Sequence, residues 1–389
     1  MKYNFDTPID RKNTDCLKHD LLDYFFGKTD ILPMWIADMD IAIPDFIIDA
    51  VKKRAEHPVY GYTAFSKNYF QNFIDWMYKR HGVVIEKEWI CFSPGVVPAL
   101  NMSVLTYTNK NDKIIIQPPV YPPFFSTIKD HDRVVVENNL QFCNGNFCMD
   151  FEDLESKIDE QTTMFILCNP HNPGGRCWKK EELEQLIDIC HKNNITIISD
   201  EIHSDLIRNN HQHTSMLSLT DKVISCFSPS KTFNLAGMST SFIVIPDKEM
   251  REKYLKTLHG LHIAHGNLFG PVATEIAYGQ GEEWYIQVWD YLQNNIDYAI
   301  DFCKKHIPTI DVVAPEATYL LWLDCRKIST SHEILQDIFV NKLKLGLNNG
   351  IDFGNAGEGF MRMNVACPRQ TLEIAMDKLK GINAFATNN

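Results

Sequence analysis

The sequence predicts an α/β fold, with a large domain on a mostly parallel mixed sheet joined to a smaller α+β domain. Three observations predict it. From about residue 60 to 280, short apolar runs alternate with amphipathic stretches, the pattern of βαβ units. The runs are rich in β-branched residues, which favour pleated strands. Beyond about residue 283 the alternation gives way to one long helical stretch and a short mixed tail. A chain of 389 residues also exceeds one comfortable core.

The first 45 residues have little periodicity and are expected to pack on the smaller unit. The expected division is therefore 46–285 for the large domain, with 1–45 and 286–389 for the small one. Within the large domain, "DKIIIQ" (112–117), "TMFILC" (163–168), "ITIIS" (195–199), "KVISCF" (222–227) and "TSFIVIP" (240–246) read as strands. "WKKEELEQLIDICHKNN" (178–194) carries apolar residues at helical spacing. "FCNGNFCMD" reads as a hairpin around its Asn-Gly centre rather than a metal loop, although Cys143 and Cys148 flank it. The tail gives the helix "EEWYIQVWDYLQNNIDYAIDFCKKHI", strand-like "TYLLWLD" (318–324), a helix, "GFMRMNV" (359–365) and a last helix.

Composition excludes some classes. A formal net charge of −12 argues against nucleic acid or an anionic membrane as main partner. The start "MKYNFDTPIDRKNTD" has no apolar h-region, and no window approaches a membrane span. Eleven cysteines scattered among apolar neighbours then suggest reduced thiols and a cytoplasmic location.

The chemistry gathers where strands stop. "IIIQ" runs into "PPVYPPF", "FILC" into "NPHNPGGR", "TIIS" into "DEIHSDL" and "ISCF" into "SPSKTFN". In a parallel sheet the carboxyl ends of the strands form the rim where ligands bind. Four such ends would bring Tyr121, Asn172, Asp200, His203, Ser228, Ser230 and Lys231 to one crevice, on loops stiffened by Pro and Gly. No Gly-x-x-x-x-Gly-Lys-Ser/Thr loop is present, and "GNAGEGF" (354–360) has neither dinucleotide spacing nor a preceding strand. A rim lysine with a carboxylate at the end of an apolar run suits pyridoxal 5′-phosphate (PLP) instead. The amine bonds the coenzyme's aldehyde, and the carboxylate holds the ring nitrogen protonated.

Eight segments carry a resemblance. "YGYTAF" (60–65), "SPGVVPAL" (93–100), "PPVYPPF" (118–124), "CNPHNPGGR" (168–176), "SDEIHSDL" (199–206), "SPSKTFNLAG" (228–237), "ATYLLWLD" (317–324) and "MRMNVACP" (361–368) occur in order, with "MWIADMD" (34–40) before them. The chain resembles the fold-type I PLP enzymes of aminotransferase class I/II, and most closely their MalY/PatB-type cystathionine β-lyase branch. The resemblance implies the aspartate aminotransferase fold and covers nearly the whole chain.

It implies that Lys231 bonds the coenzyme and moves the Cα proton, that Asp200 faces the ring nitrogen, and that Tyr121 covers the ring. Asn172 and His203 would serve the phenolic oxygen. Ser228, Ser230 and the backbone of Gly95, Val96 and Val97 would hold the phosphate. Many aminotransferases place an arginine eight residues past the lysine; here Ser239 stands there. The phosphate grip therefore leans on neutral donors and on Tyr62, reaching across a homodimer. Arg362 would clamp the substrate's α-carboxylate, with Tyr319, Asp38 and Trp35 on the substrate side. Taken singly, each residue has a plainer reading: a solvated loop lysine, an N-capping aspartate, a packing tyrosine, a helix-face histidine, a surface-strand arginine.

His259, His262 and His265, with His211 and His213, do not make a metal site at their spacing, and none is expected. The expected activity is a PLP-dependent C–S β-lyase acting on cystathionine or a similar L-cysteine thioether. The alternatives are a class I/II aminotransferase for neutral amino acids and a PLP-binding regulatory protein with a vestigial site.

Overall fold

The computed structural model describes residues 3–143 and 145–385. Its centre is a seven-stranded sheet of β1 (Ile90–Ser93), β2 (Lys113–Ile116), β3 (Val134–Glu137), β4 (Thr162–Cys168), β5 (Thr196–Asp200), β6 (Val223–Phe227) and β7 (Ser241–Val244). The spatial order is β1-β7-β6-β5-β4-β2-β3. Neighbours from β6 through β3 pair in parallel, while β7 is antiparallel to both β6 and β1. The sheet is thus mixed by one reversed strand. Each strand read from the sequence is present, its ends shifted by one or two residues.

The continuous apolar runs follow from burial on both faces. In β2 and β4 the side chains alternate. Ile114, Ile116, Met164 and Ile166 join one cluster with Ala99, Leu100 and Val104 of α2 (Val96–Tyr107). Ile115, Phe165 and Leu167 join another with Leu183, Leu186 and Cys190 of α3 (Lys180–Lys192). The helical spacing in α3 is what lets those residues form one stripe.

A second sheet orders β8 (Asp311–Val313), β9 (Leu320–Asp324), β11 (Phe360–Asn364) and β10 (Asn348–Asn349), all antiparallel. It packs with the long α4 (Glu282–His306), whose buried Trp284, Val288, Leu292 and Ile296 recur at helical spacing. The N-terminal segment ties the two sheets together. Leu32–Pro33 pairs in parallel with Leu345–Gly346 of the tail, and Asn234 near the end of β6 bonds the backbone of Met39 and Ile41. One apolar cluster accordingly contains Phe5 and Met34, Phe227 and Phe242, and Leu320 and Met363.

The cysteine-flanked hairpin forms, with Gln141–Cys143 antiparallel to Asn146–Cys148. Gly145 takes φ +83°, a left-handed turn conformation that glycine accepts without strain. Asn144, the first residue of the expected Asn-Gly centre, lies outside the described residues. All eleven cysteines are free thiols. Among the described residues no helix is long and apolar enough to cross a membrane.

Candidate active site

A cavity of about 380 Å³ opens at the carboxyl ends of the main strands. It lies within the size range of small-molecule and coenzyme pockets. β1 delivers Gly95, Val96 and Val97, β2 delivers Tyr121, β4 delivers Asn172, β5 delivers Asp200 and His203, and β6 delivers Ser230 and Lys231. Arg362 enters from β11, and Trp35 from the N-terminal segment. Residues up to 327 positions apart are in hydrogen-bond contact here, because the antiparallel sheet and the N-terminal segment close over the rim of the main sheet.

Lys231 Nζ donates to the carbonyl of Ala37 at 2.6 Å. Burial, followed by the nearby Arg362, pulls the ammonium down to about 8, against the opposing pull of Asp38 and Asp200. The neutral amine is therefore accessible near neutral pH.

Asp200 is only 4% exposed. Its Oδ1 accepts from Ile202 N at 3.1 Å, and among the described residues it has no salt bridge. Burial pushes the carboxyl up to about 7, although the Ile202 N–H and Lys231 draw it down. β5 explains where it points. Side chains alternate along a strand, so Asp200 follows its register partner Cys168 toward the cavity. Glu201 turns the other way and takes a hydrogen bond from the Ser225 hydroxyl.

Arg362 is held rigidly. Its guanidinium donates to Asn172 Oδ1 at 3.1 Å, to the Trp35 carbonyl at 3.1 Å and to Asn348 Oδ1 at 2.7 Å, and it lies 4.9 Å from the centre of the Phe353 ring. Its Nε and His203 Nδ1 are buried with no hydrogen-bond partner. Burial, then Lys231 and Arg362, holds the His203 imidazolium well below its ordinary range, so that ring is neutral. Burial raises the Tyr121 hydroxyl. The 12-residue helix α2 begins at the cavity with no side-chain cap at Gly95, leaving its first N–H groups for a ligand.

Three sequence expectations land elsewhere, and a fourth residue, Tyr62, is expected only across a dimer. Asp38 does not line this cavity; its carboxylate lies 2.6 Å from Arg11 and 3.5 Å from Lys18, which draw it to the other side of the "ADMD" bend. Tyr319 is fully buried behind the wall, its hydroxyl donating to the Ala37 carbonyl at 3.0 Å. Ser228 spends its hydroxyl on the turn itself, donating to the Thr240 carbonyl at 2.8 Å and accepting from Ser230 N, so Ser230 alone of the two reaches the cavity. Tyr62 is fully exposed in the single chain and away from the cavity.

Sequence reading missed Asn348 and the Ala37 carbonyl. "GLNNG" offered no motif, and a backbone acceptor leaves no trace in side-chain chemistry. Only the pairing of β10 with β11, which sets Asn348 opposite Arg362, reveals the first.

A lysine amine, a buried carboxylate and a fixed arginine around the rim of a mixed α/β sheet define the lysine-centred amino-acid enzymes that the motifs resemble. The chain belongs to the aminotransferase class I and II family, whose profile matches residues 31–379. It is 40% identical over 382 residues to the cystathionine beta-lyase PatB of Bacillus subtilis (strain 168), covering 97% of this chain and 99% of that one. Among solved structures it is similar to cystalysin from Treponema denticola, which contains PLP, at TM-score 0.95 and 34% identity over 99% of both chains. It is also similar to the PLP-bound C–S lyase from Staphylococcus hominis, at TM-score 0.91 and 32% identity over 98% of both.

Proposed function

We propose that this chain is a PLP-dependent C–S β-lyase that cleaves cystathionine or a related L-cysteine thioether, with one water, to a thiol, pyruvate and ammonium. The observation that carries the coenzyme is Asp200, a buried carboxylate without a cation, whose desolvation penalty a protonated ring nitrogen would relieve. The unpartnered His203 and the uncapped α2 N-terminus fit the same group. When bound, PLP supplies an electron sink for the bonds at the substrate's Cα.

The chain's own residues do the rest. Arg362 offers its fork to the substrate α-carboxylate, and Asn172, Asn348 and the Trp35 carbonyl hold that fork in plane. With its oxygen engaged by Arg362, Asn172 keeps its amide N–H groups for the coenzyme's phenolic oxygen, beside His203. Tyr121 would cover the ring, and Ser230 with the N–H groups of Gly95, Val96 and Val97 would hold the phosphate, all of them lining the cavity. With its amine neutral, Lys231 would take the Cα proton. The Ala37 carbonyl is its acceptor when it is not otherwise bonded.

The relatives' names support the lyase over the aminotransferase reading. Arg362 is also the one arginine among the described residues lining the cavity, which disfavours a dicarboxylate substrate. We further propose a cytoplasmic homodimer in which Tyr62, exposed beside Val59 and Tyr60, completes the partner's phosphate site, and a division into 46–285 against 1–45 with 286–389.

The test is to incubate purified protein with L-cystathionine. Thiol and pyruvate should appear in equal amounts with no keto acid added. Amino transfer that depends on a keto acid, without thiol release, would select the aminotransferase instead. Substituting Arg362→Lys keeps the charge but loses the fork. It should lower kcat/KM roughly 10- to 100-fold, mostly through KM, as steady-state kinetics would read.

A further inference from the structure

A second, polar cavity of about 400 Å³ shares no lining residue with the first, and its walls include Arg80, His81, Asp205, His211 and His213. Asp205 is the informative member. It lies five residues past Asp200, in the turn that also carries His203. Its Oδ2 accepts from Thr232 Oγ1 at 2.7 Å. Its Oδ1 accepts from Trp76 Nε1 at 3.0 Å and lies 2.8 Å from His81 Nε2, both on α1 (Lys67–His81). Its backbone carbonyl accepts from the Tyr285 hydroxyl.

Thr232 is the residue directly after Lys231 and is buried. A threonine there could bond a carbonyl of its own short helix; instead its hydroxyl reaches 27 residues back to Asp205. One carboxylate thus braces the turn that follows Asp200 and carries His203 against the short helix bearing Lys231. Burial pushes Asp205 up, but His81, Thr232 and Trp76 together hold it below the ordinary carboxylate range, so it stays an acceptor for all three. Other charged groups flank the brace. His213 meets the His81 ring edge-on at 5.8 Å and pairs with Glu201 at 2.9 Å, while Arg80 lies over the Tyr285 ring and 3.8 Å from Glu282.

We infer that Asp205, acting through the Thr232 hydroxyl, is a positioning residue that fixes the Lys231 amine relative to Asp200. The inference rests on the reading of Lys231 as the reactive amine. A displacement of about 1 Å at a reacting group costs roughly 100-fold in rate, and no other side-chain hydrogen bond fastens Thr232 among the described residues.

The test compares Thr232→Val, which keeps the shape and deletes the hydroxyl, with Thr232→Ser, which restores it. Thiol release gives kcat and KM. Acetic-anhydride labelling of Lys231 against pH, read by peptide mass in the full chain without coenzyme, gives the amine's titration midpoint, about 8 in the parent. Thr232→Val should lower kcat roughly 10- to 100-fold with KM within about threefold, and displace the labelling midpoint. Thr232→Ser should recover most of both. His81→Phe, remote from the lysine, should give the same split at smaller size. The inference is overturned if Thr232→Val leaves kcat and midpoint at parental values, or if Thr232→Ser is as impaired as Thr232→Val. Should the parent release no thiol, the reading of the reaction fails, while the labelling midpoints still report whether the brace places the amine.

Discussion

Replacing Lys231 by alanine should reduce thiol release from L-cystathionine by about 10⁴-fold, the upper range for loss of a positioned acid–base group. The argument is geometric. Lys231 is the one lysine among the described residues lining the cavity, and its amine is already drawn down to about 8 by burial and Arg362. No neighbour can substitute. His203 is held neutral and is assigned to the proposed phenolic-oxygen side, and Tyr121 has its hydroxyl raised. The variant should still bind the coenzyme, because Asp200, Asn172 and the start of α2 remain. Borohydride treatment should then fix coenzyme covalently to the parent and not to the variant. Turnover within tenfold of the parent would sink the assignment.

Asp200→Asn should move activity and stability in opposite directions. The carboxyl titrates near 7 in the folded chain and near 3.8 in the unfolded one. Between those values the folded state binds the extra proton, so folding stability falls as pH rises from about 4 to 7 and stays reduced above it. The coenzyme-free parent at pH 8 therefore carries the full penalty of a buried, unpaired charge. Asparagine removes the charge and keeps an oxygen for the Ile202 N–H. We expect the coenzyme-free variant to be more stable than the parent at pH 8 by roughly 2–4 kcal/mol, and little different at pH 4. Turnover should meanwhile fall by roughly 10³-fold, since a neutral amide cannot hold the ring nitrogen protonated. Urea unfolding at the two pH values, beside a thiol assay, checks both halves. A loss of stability at pH 8, or full activity, would refute the role of Asp200 as an unpaired partner for a cation.

Much of the site could be read from the chain because its chemistry is local to strand ends. An apolar run followed by Pro, Gly and one polar residue marks a carboxyl-terminal rim loop wherever the sheet is parallel. That rule brought Tyr121, Asn172, Asp200, His203, Ser230 and Lys231 to one cavity before any contact was known, and erred only in adding Ser228. Arg362 and Trp35 came through resemblance alone, since nothing in "MRMNV" or "MWIADMD" says which sheet faces the rim. The reversed β7 also lay outside what periodicity reports, because strand direction is a property of the connections and not of the run.

The sequence by itself determined which residues sit on rim loops and which faces of the strands are buried, because alternation and strand ends depend on neighbours a few positions away. Tertiary structure alone decided where Asp38, Tyr319 and Ser228 point, and that the Ala37 carbonyl, Asn348 and the Asp205–Thr232 brace belong to the site. Those outcomes turn on competition between partners remote in the chain. Arg11 and Lys18 hold Asp38, Ala37 holds Tyr319, and Asp205 rather than a helix carbonyl holds Thr232. A side chain's final hydrogen bond is the best among all groups that the fold brings within about 3 Å, and that set exists only once the chain has folded.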